Sequence, residues 1–395
     1  MMGITFLLSL LATLVLGNNM SPEEFGKLAL LKSFIIIGGT FSLFGIDQVI
    51  IRMGANSKLS QKLIVNIWFI LIFSSLFFSL IFKIIFLLKQ KEFLFLWIII
   101  FCNSNLIYFA AFFRVRHKFV ISQLAYNLWK VLLFTASILL IFLYSSPILT
   151  KDLYFILSLF CFLSFILSLI YSYFYFGDLI DFKFDRNIMS LLKNGFAFWA
   201  INVLSLLFAG LDRFLISKLS NEIILGEYYA ITFIFTTSFS MLGSAIGYVI
   251  YPFLVNKQKV SLNYMLLFYM IFSMILYVVF ICVGDKIFSI AYNDRYDYVI
   301  SNNLISIVLT IGLIQGMHTI VHFMVYAYAN SHQLSIYFKV TAVICFIYTI
   351  FFYFFSYHTL LDLFNITIVV LFFWFVKLVS LIVLFFYVLN NKKII

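Results

Sequence analysis

The sequence predicts an all-α polytopic membrane protein: about twelve transmembrane helices in two six-helix lobes related by pseudo-two-fold symmetry along the membrane normal. Three observations predict it. Hydrophobic residues make up 65% of the 395 and charged residues only 10%, too few polar groups to cover a water-facing surface. Apolar runs of about 20 or more consecutive residues recur along the chain, where the strands of a barrel would alternate over about 10. A stretch near the start returns, faintly, about 200 residues later.

In chain order the runs place helices at 1–17, 29–51, 63–88, 93–113, 119–144, 153–176, 192–217, 223–251, 264–284, 301–328, 336–357 and 363–389. The first is read as a retained span, because no Lys or Arg precedes Lys27 and no small-x-small cleavage site follows it. The second is introduced by Ser21-Pro22-Glu23-Glu24, a capping box with proline at the first helical position. In it the hydroxyl accepts from an amide one turn on, a glutamate reaches back, and both carboxylates face the positive end of the helix dipole. A tight turn there makes the first two spans an antiparallel hairpin. No connection exceeds about 17 residues, so no soluble domain is expected and any chemistry belongs within or at the edge of the bilayer. Cys102, Cys161, Cys282 and Cys345 each stand alone in an apolar run, as packing residues do.

An even number of spans puts both termini on one side. Placing them in the cytoplasm assigns about fourteen Lys and Arg to inner loops against about nine outside. Arg52, Lys58, Lys62, Arg114, Arg116, Lys118, Lys392 and Lys393 support that orientation, and Lys89 and Lys91 run against it.

Sliding the chain by about 200 residues lays "SPEEFGKLALLKSFIIIGGTFSLFGIDQVIIR" (21–52) on "NEIILGEYYAITFIFTTSFSMLGSAIGYVIYP" (221–252), Ser21 falling on the cap-competent Asn221 and Gly26 on Gly226. Two parallel repeats follow: an N-terminal lobe at 1–176, a cytoplasmic linker at 177–191 and a C-terminal lobe at 192–395. Such repeats build alternating-access transporters around a cleft between lobes.

The pairing of "MSPEEFG…FGIDQVIIR" with "LDRFLISKLSNEIILGEYYA" resembles the Wzx-type O-antigen and capsular polysaccharide repeat-unit flippases, the polysaccharide transporter family of the multidrug/oligosaccharidyl-lipid/polysaccharide exporter superfamily. The resemblance implies a cationic central cavity that faces in and out alternately in a bacterial cytoplasmic (inner) membrane. It also implies that an undecaprenyl-pyrophosphate-linked oligosaccharide is moved from the inner to the outer leaflet for O-antigen or another surface polysaccharide. The lipid bilayer and other polysaccharide assembly proteins would be the partners, with no nucleic acid and no cofactor. Without a nucleotide motif, the drive is an H+ or Na+ gradient or removal of the product outside. The net charge of +11 agrees with an anionic lipid partner, in part through the positive-inside bias.

Ionisable residues inside a span cost about 2.5–3.5 kcal/mol each on insertion scales and so face a cavity or a partner. Lys130 and Lys377 lie near the centres of the fifth and twelfth spans, roughly 15–20 Å from either surface at 1.5 Å per residue, one in each lobe. They are the expected grips on pyrophosphate; a lysine bonded to carbonyls or an Asp within one lobe is the structural alternative. Lys32 either lines the outer cleft or snorkels. Arg213 joins the substrate-binding set, while Asp212 either anchors and caps or serves as a counter-ion, and Asp47 is a second candidate for coupling. His318 and His322, "HTIVH", share a helical face at i, i+4, a spacing that suits a proton-responsive pair better than a metal, for want of a third ligand. "GSAIG" (243–247) and "GLIQG" (312–316) are small-xxx-small patterns that favour close helix packing.

Two other functions fit the composition. A membrane-embedded polysaccharide polymerase would carry a large outer loop, whereas the outer loops here are about 5–15 residues. A multidrug exporter of the same superfamily would bind cations in an acidic cleft, whereas the mid-membrane charges here are mostly lysine.

Overall fold

The computed structural model describes residues 2–53, 64–115, 118–143, 148–176, 187–255, 262–358 and 362–390. The described elements are helical throughout: α1 Met2–Asn19, α2 Pro22–Phe41, α3 Ile46–Met53, α4 Ile64–Phe86, α5 Gln90–Val115, α6 Phe119–Leu143 and α7 Thr150–Phe176. They continue with α8 Asn187–Leu219, α9 Glu222–Val255, α10 Leu262–Tyr292, a 3-10 turn Asp297–Val299, α11 Asn302–Tyr328, α12 Ser331–His358 and α13 Leu363–Asn390. Among the described residues, ten helices, α4 to α13, are long and apolar enough to cross a membrane, and α1 adds a shorter apolar helix, Leu7–Asn19. Lys58, Lys62, Arg116, Lys392, Lys393 and positions 177–186 of the expected linker lie outside the described residues; from Asn187 the chain is already helix.

The span expected at 29–51 is broken. Helix α2 ends at Phe41, Phe44 and Gly45 take positive φ of 48° and 75°, and α3 starts afresh at Ile46. A break inside a membrane frees backbone carbonyls that only protein can satisfy. Trp199 Nε1 donates to Phe41 O at 2.9 Å, and Ser74 Oγ donates to Ser42 O at 2.8 Å. Gly45 also lies against the backbone of Gly195 on α8, where a Cβ would come within 3.0 Å of the Gly195 carbonyl carbon. At φ 75° with the Gly195 backbone this close, position 45 has room only for glycine. The signal was in the sequence: a glycine two residues before Asp47, which falls in the first turn of α3.

The capping box forms by half. Ser21 is extended and its hydroxyl accepts from Glu24 N at 3.2 Å. The Glu24 carboxylate does not reach back; Oε2 accepts from Thr150 N at 2.7 Å and Thr150 Oγ1 at 2.6 Å, and so caps α7 as well. At the repeated position Asn221 Oδ1 accepts from Ile224 N at 2.8 Å. The flanking backbone matches too: Met20 N to Leu16 O and Ser220 N to Ile216 O are each 2.9 Å. The repeat read from letters is therefore also a repeat of local geometry.

The chain divides into two compact units, Met1–Leu207 and Phe208–Ile395. In the first, α5 is the central helix, packed on α2, α3, α4, α6 and α7. Asn103 on α5 donates to Ile35 O at 3.1 Å, and Ser122 on α6 donates to Ala110 O at 2.7 Å. In the second, α11 is central, packed on α9, α10 and α13. The two small-residue patterns meet there: a Cβ on Gly243 would lie 2.6 Å from Gly316 Cα, and one on Gly316 would lie 2.5 Å from Phe239 O. Where lipid supplies no hydrophobic drive between helices, this backbone-to-backbone contact is what van der Waals packing has to work with.

Candidate functional site

Unit 2 holds five of the eight candidate residues that the sequence singled out, Asp212, Arg213, His318, His322 and Lys377. Lys377, on α13, is 1% exposed, and its Nζ sits 4.0 Å from the centroid of the Phe208 ring and 5.1 Å from that of Trp374. Trp374 is three residues earlier on the same helix, so one face of α13 presents both, while Phe208 comes from α8. Two aromatic faces suit an ammonium, each by about 0.5–2 kcal/mol. Among the described residues, however, Nζ has no hydrogen-bond partner.

His318, on α11, stacks edge-on to Trp374 with ring centroids 5.6 Å apart and lies within electrostatic reach of Lys377; its Nε2 also has no hydrogen-bond partner among the described residues. His322, one turn on, is differently placed: Nδ1 is 2.7 Å from Tyr337 Oη and the ring lies 4.4 Å from Tyr326. The pair shares a helical face, with centroids 5.9 Å apart. Among the described residues no group of three His, Cys, Asp or Glu side chains is placed to hold a metal ion.

Asp212 lies one turn after Phe208 on α8, buried. Its Oδ2 accepts from Tyr228 Oη at 2.5 Å and its Oδ1 from Arg213 N at 2.8 Å. Arg213 points elsewhere, its guanidinium 5.1 Å from the Tyr229 ring.

Unit 1 holds the others apart. Lys130, half-buried on α6, donates to Asn127 Oδ1 at 2.8 Å and lies 6.0 Å from the Trp129 ring. Lys32 is 4% exposed and donates to Thr13 Oγ1 on α1, so its stem is enclosed by protein rather than laid along lipid. Asp47, buried at the start of α3, accepts from Gln48 Nε2 at 2.9 Å.

Sequence reasoning found the charges and missed their aromatic partners. Phe208, Tyr228, Tyr337, Tyr348 and Trp374 carried no signal of their own in a chain that is 21% aromatic; only the i, i+3 spacing of Trp374 and Lys377 could have been noticed.

An all-helical membrane bundle of two units with enclosed basic side chains is a transporter architecture, and solved structures bear on the class directly. The chain is similar to a multidrug resistance MATE family transporter of the MOP superfamily in its inward-facing conformation (TM-score 0.67, 14% identity, 98% of this chain and 96% of that one). It is similar to an outward-facing conformation of such a transporter (TM-score 0.64, 14% identity, 100% and 94%). It is also similar to a MOP superfamily transporter from Pyrococcus furiosus described as having a binding pocket of reverse polarity (TM-score 0.55, 15% identity, 99% and 93%). The fold is that of MOP-superfamily transporters. Residues 1–258 match the family of polysaccharide biosynthesis proteins, and the chain belongs to that family. No curated protein matches it.

Proposed function

We propose that this protein is a flippase, carrying undecaprenyl-pyrophosphate-linked oligosaccharide from the cytoplasmic to the outer leaflet by alternating access, in the assembly of O-antigen or another surface polysaccharide. The observation that carries the reading is membership of a polysaccharide biosynthesis family in a chain with a transporter fold. Polysaccharide is built on a lipid carrier on one side of a membrane and used on the other, so the cargo that needs a transporter is the lipid-linked unit. Inward- and outward-facing conformations of the similar MATE transporters support alternating access.

Charge supports an anionic cargo. The candidate set holds four basic side chains, Lys32, Lys130, Arg213 and Lys377, against two carboxylates, Asp47 and Asp212, each of which accepts a hydrogen bond from a neighbouring side chain. A drug-exporting relative would want the opposite sign. Lys130 and Lys377 are the proposed contacts for pyrophosphate, with Lys32 and Arg213 as further cations. Asp47, Asp212, His318 and His322 are the proposed groups for coupling to an H+ or Na+ gradient.

The test is reconstitution. Proteoliposomes carrying an undecaprenyl-pyrophosphate-linked oligosaccharide in one leaflet should show time-dependent accessibility of its sugar to an impermeant glycosidase from the other side. Lys130→Ala should slow this at least about tenfold, the loss of about 1.4 kcal/mol in transition-state binding. Glycan chain lengthening without transfer would make the protein a polymerase, and efflux of organic cations in its place would make it a drug exporter.

A further inference from the structure

Lys377, His318 and Tyr348 come from three different helices, α13, α11 and α12, and share two aromatic neighbours. Phe208 contacts Lys377 and lies 5.6 Å from Tyr348, and Trp374 contacts Lys377 and lies 5.6 Å from His318. Tyr348 is fixed from its other face by Phe373, with stacked rings 4.4 Å apart. Lys377 and Tyr348 are each 1% exposed and His318 is 6% exposed. Yet Lys377 Nζ, His318 Nε2 and Tyr348 Oη all lack a hydrogen-bond partner among the described residues. Buried polar atoms are almost always paired, so three unpaired ones around two shared rings mark a place for something else.

Among the described residues no carboxylate lies within ion-pair distance of the Lys377 ammonium. Asp212, on the α8 face next to Phe208, is held by Tyr228 and by Arg213 N. His322, on α11, is held by Tyr337, and Cys345, on α12, is a thiol within electrostatic reach of Lys377. Aromatic faces offset part of the cost of burying an ammonium but bring no negative charge. With its proton on Nε2 the imidazole of His318 joins the phenol O–H and the ammonium as a third donor, the set that suits an anion.

We propose that unit 2 contains a binding site for a small inorganic anion of the halide class, with Lys377 as counter-charge and His318 and Tyr348 as hydrogen-bond donors. The near-complete burial of all three side chains and of Phe208 fits a monatomic ion rather than a sugar phosphate. This goes beyond the transport reading, under which Lys377 meets the pyrophosphate of the cargo: the ion occupies the site when no cargo is bound. A phosphoryl group of the cargo would have the same donor chemistry, and the experiment separates the two sources.

The purified full-length protein is melted in detergent at constant ionic strength in sodium chloride, in sodium gluconate, and in gluconate with inorganic pyrophosphate. Chloride is expected to raise the Tm saturably by several degrees, and Lys377→Met to abolish the rise. Radiolabelled chloride should bind the wild-type protein, a measurement that decides the matter even if Lys377→Met does not fold, with His318→Leu as the second variant. Equal Tm in chloride and gluconate with no bound label overturns the proposal. A rise with pyrophosphate alone also overturns it and assigns Lys377 to the cargo. Neither outcome touches the proteoliposome assay, so failure here is distinct from failure of the flippase reading.

Discussion

The carboxylate of Glu24 holds two helix starts at once, α2 through its place in the first turn and α7 through two bonds from Thr150, with Lys27 Nζ 2.9 Å from its other oxygen. Residue type and cap position were legible in "SPEE"; the partner 126 positions away was not, because no local pattern names a tertiary contact. Burial pushes the Glu24 carboxyl up, but the bonds from Thr150 and Lys27 outweigh it and its pKa ends below the ordinary glutamate value. A carboxyl with a depressed folded pKa stabilises the fold above its unfolded value, about 4.3, and loses that contribution as pH falls through the folded value. Glu24→Gln should therefore cost about 1 kcal/mol at pH 7, read as a lower Tm of the purified protein. The gap to wild type should close below about pH 4. A gap that stays constant from pH 7 to pH 3.5 would show that the carboxylate's charge is irrelevant to the clamp. The same limit of legibility holds for Lys377, whose depth in the span could be counted while its aromatic enclosure could not.

Among the elements, the sequence distinguished two kinds of glycine unequally. The pairs Gly243/Gly247 and Gly312/Gly316 stand at helical spacing, which announces a packing face, and α9 meets α11 there. Gly45 stands alone in an apolar run that reads as continuous helix, because hydropathy reflects which solvent a segment prefers and says nothing about φ. Both kinds can be broken by added side chains. Gly316→Val must push against the Phe239 carbonyl and the Tyr269 ring, an overpacking cost of about 1–3 kcal/mol. Gly45→Val adds a β-branched residue at φ 75°, about 1–2 kcal/mol of strain before it meets Gly195. Thermal melts should place both variants well below wild type. If Gly45→Val melts like wild type, the α2–α3 break is not a fixed feature of the fold.

At the scale of the whole molecule, contacts between distant residues count membrane crossings. Glu24 and Thr150 touch, as do Asn19 O and Ile148 N at 3.0 Å, so residues 19–24 and 148–150 share one side of the membrane. The crossings between them must be even in number. Helices α4, α5 and α6 are three, so α2 and the short α3 together make one crossing, despite the break between them. In unit 2, Tyr298 Oη donates to Glu227 Oε1 at 2.6 Å, returning the chain to the side where α9 began after two crossings, α9 and α10. Each unit thus has the same alternation, and the repeated caps at Ser21 and Asn221 open the second crossing of each half. Six crossings in each repeat would give an even total and leave both termini on one side. The basic residues at the α5–α6 connection, Arg114 and Lys118, then decide which side, since short basic loops stay in the cytoplasm. A green fluorescent protein fused after Ile395 folds to its fluorescent form in the cytoplasm and should be bright, while alkaline phosphatase at the same place should be inactive. Phosphatase fused within 144–147, on the side where α7 begins, should be active. The reverse pattern at both sites would invert the orientation and keep the parity; activity of the same sense at both would break the odd count of crossings, α7 to α13, between them.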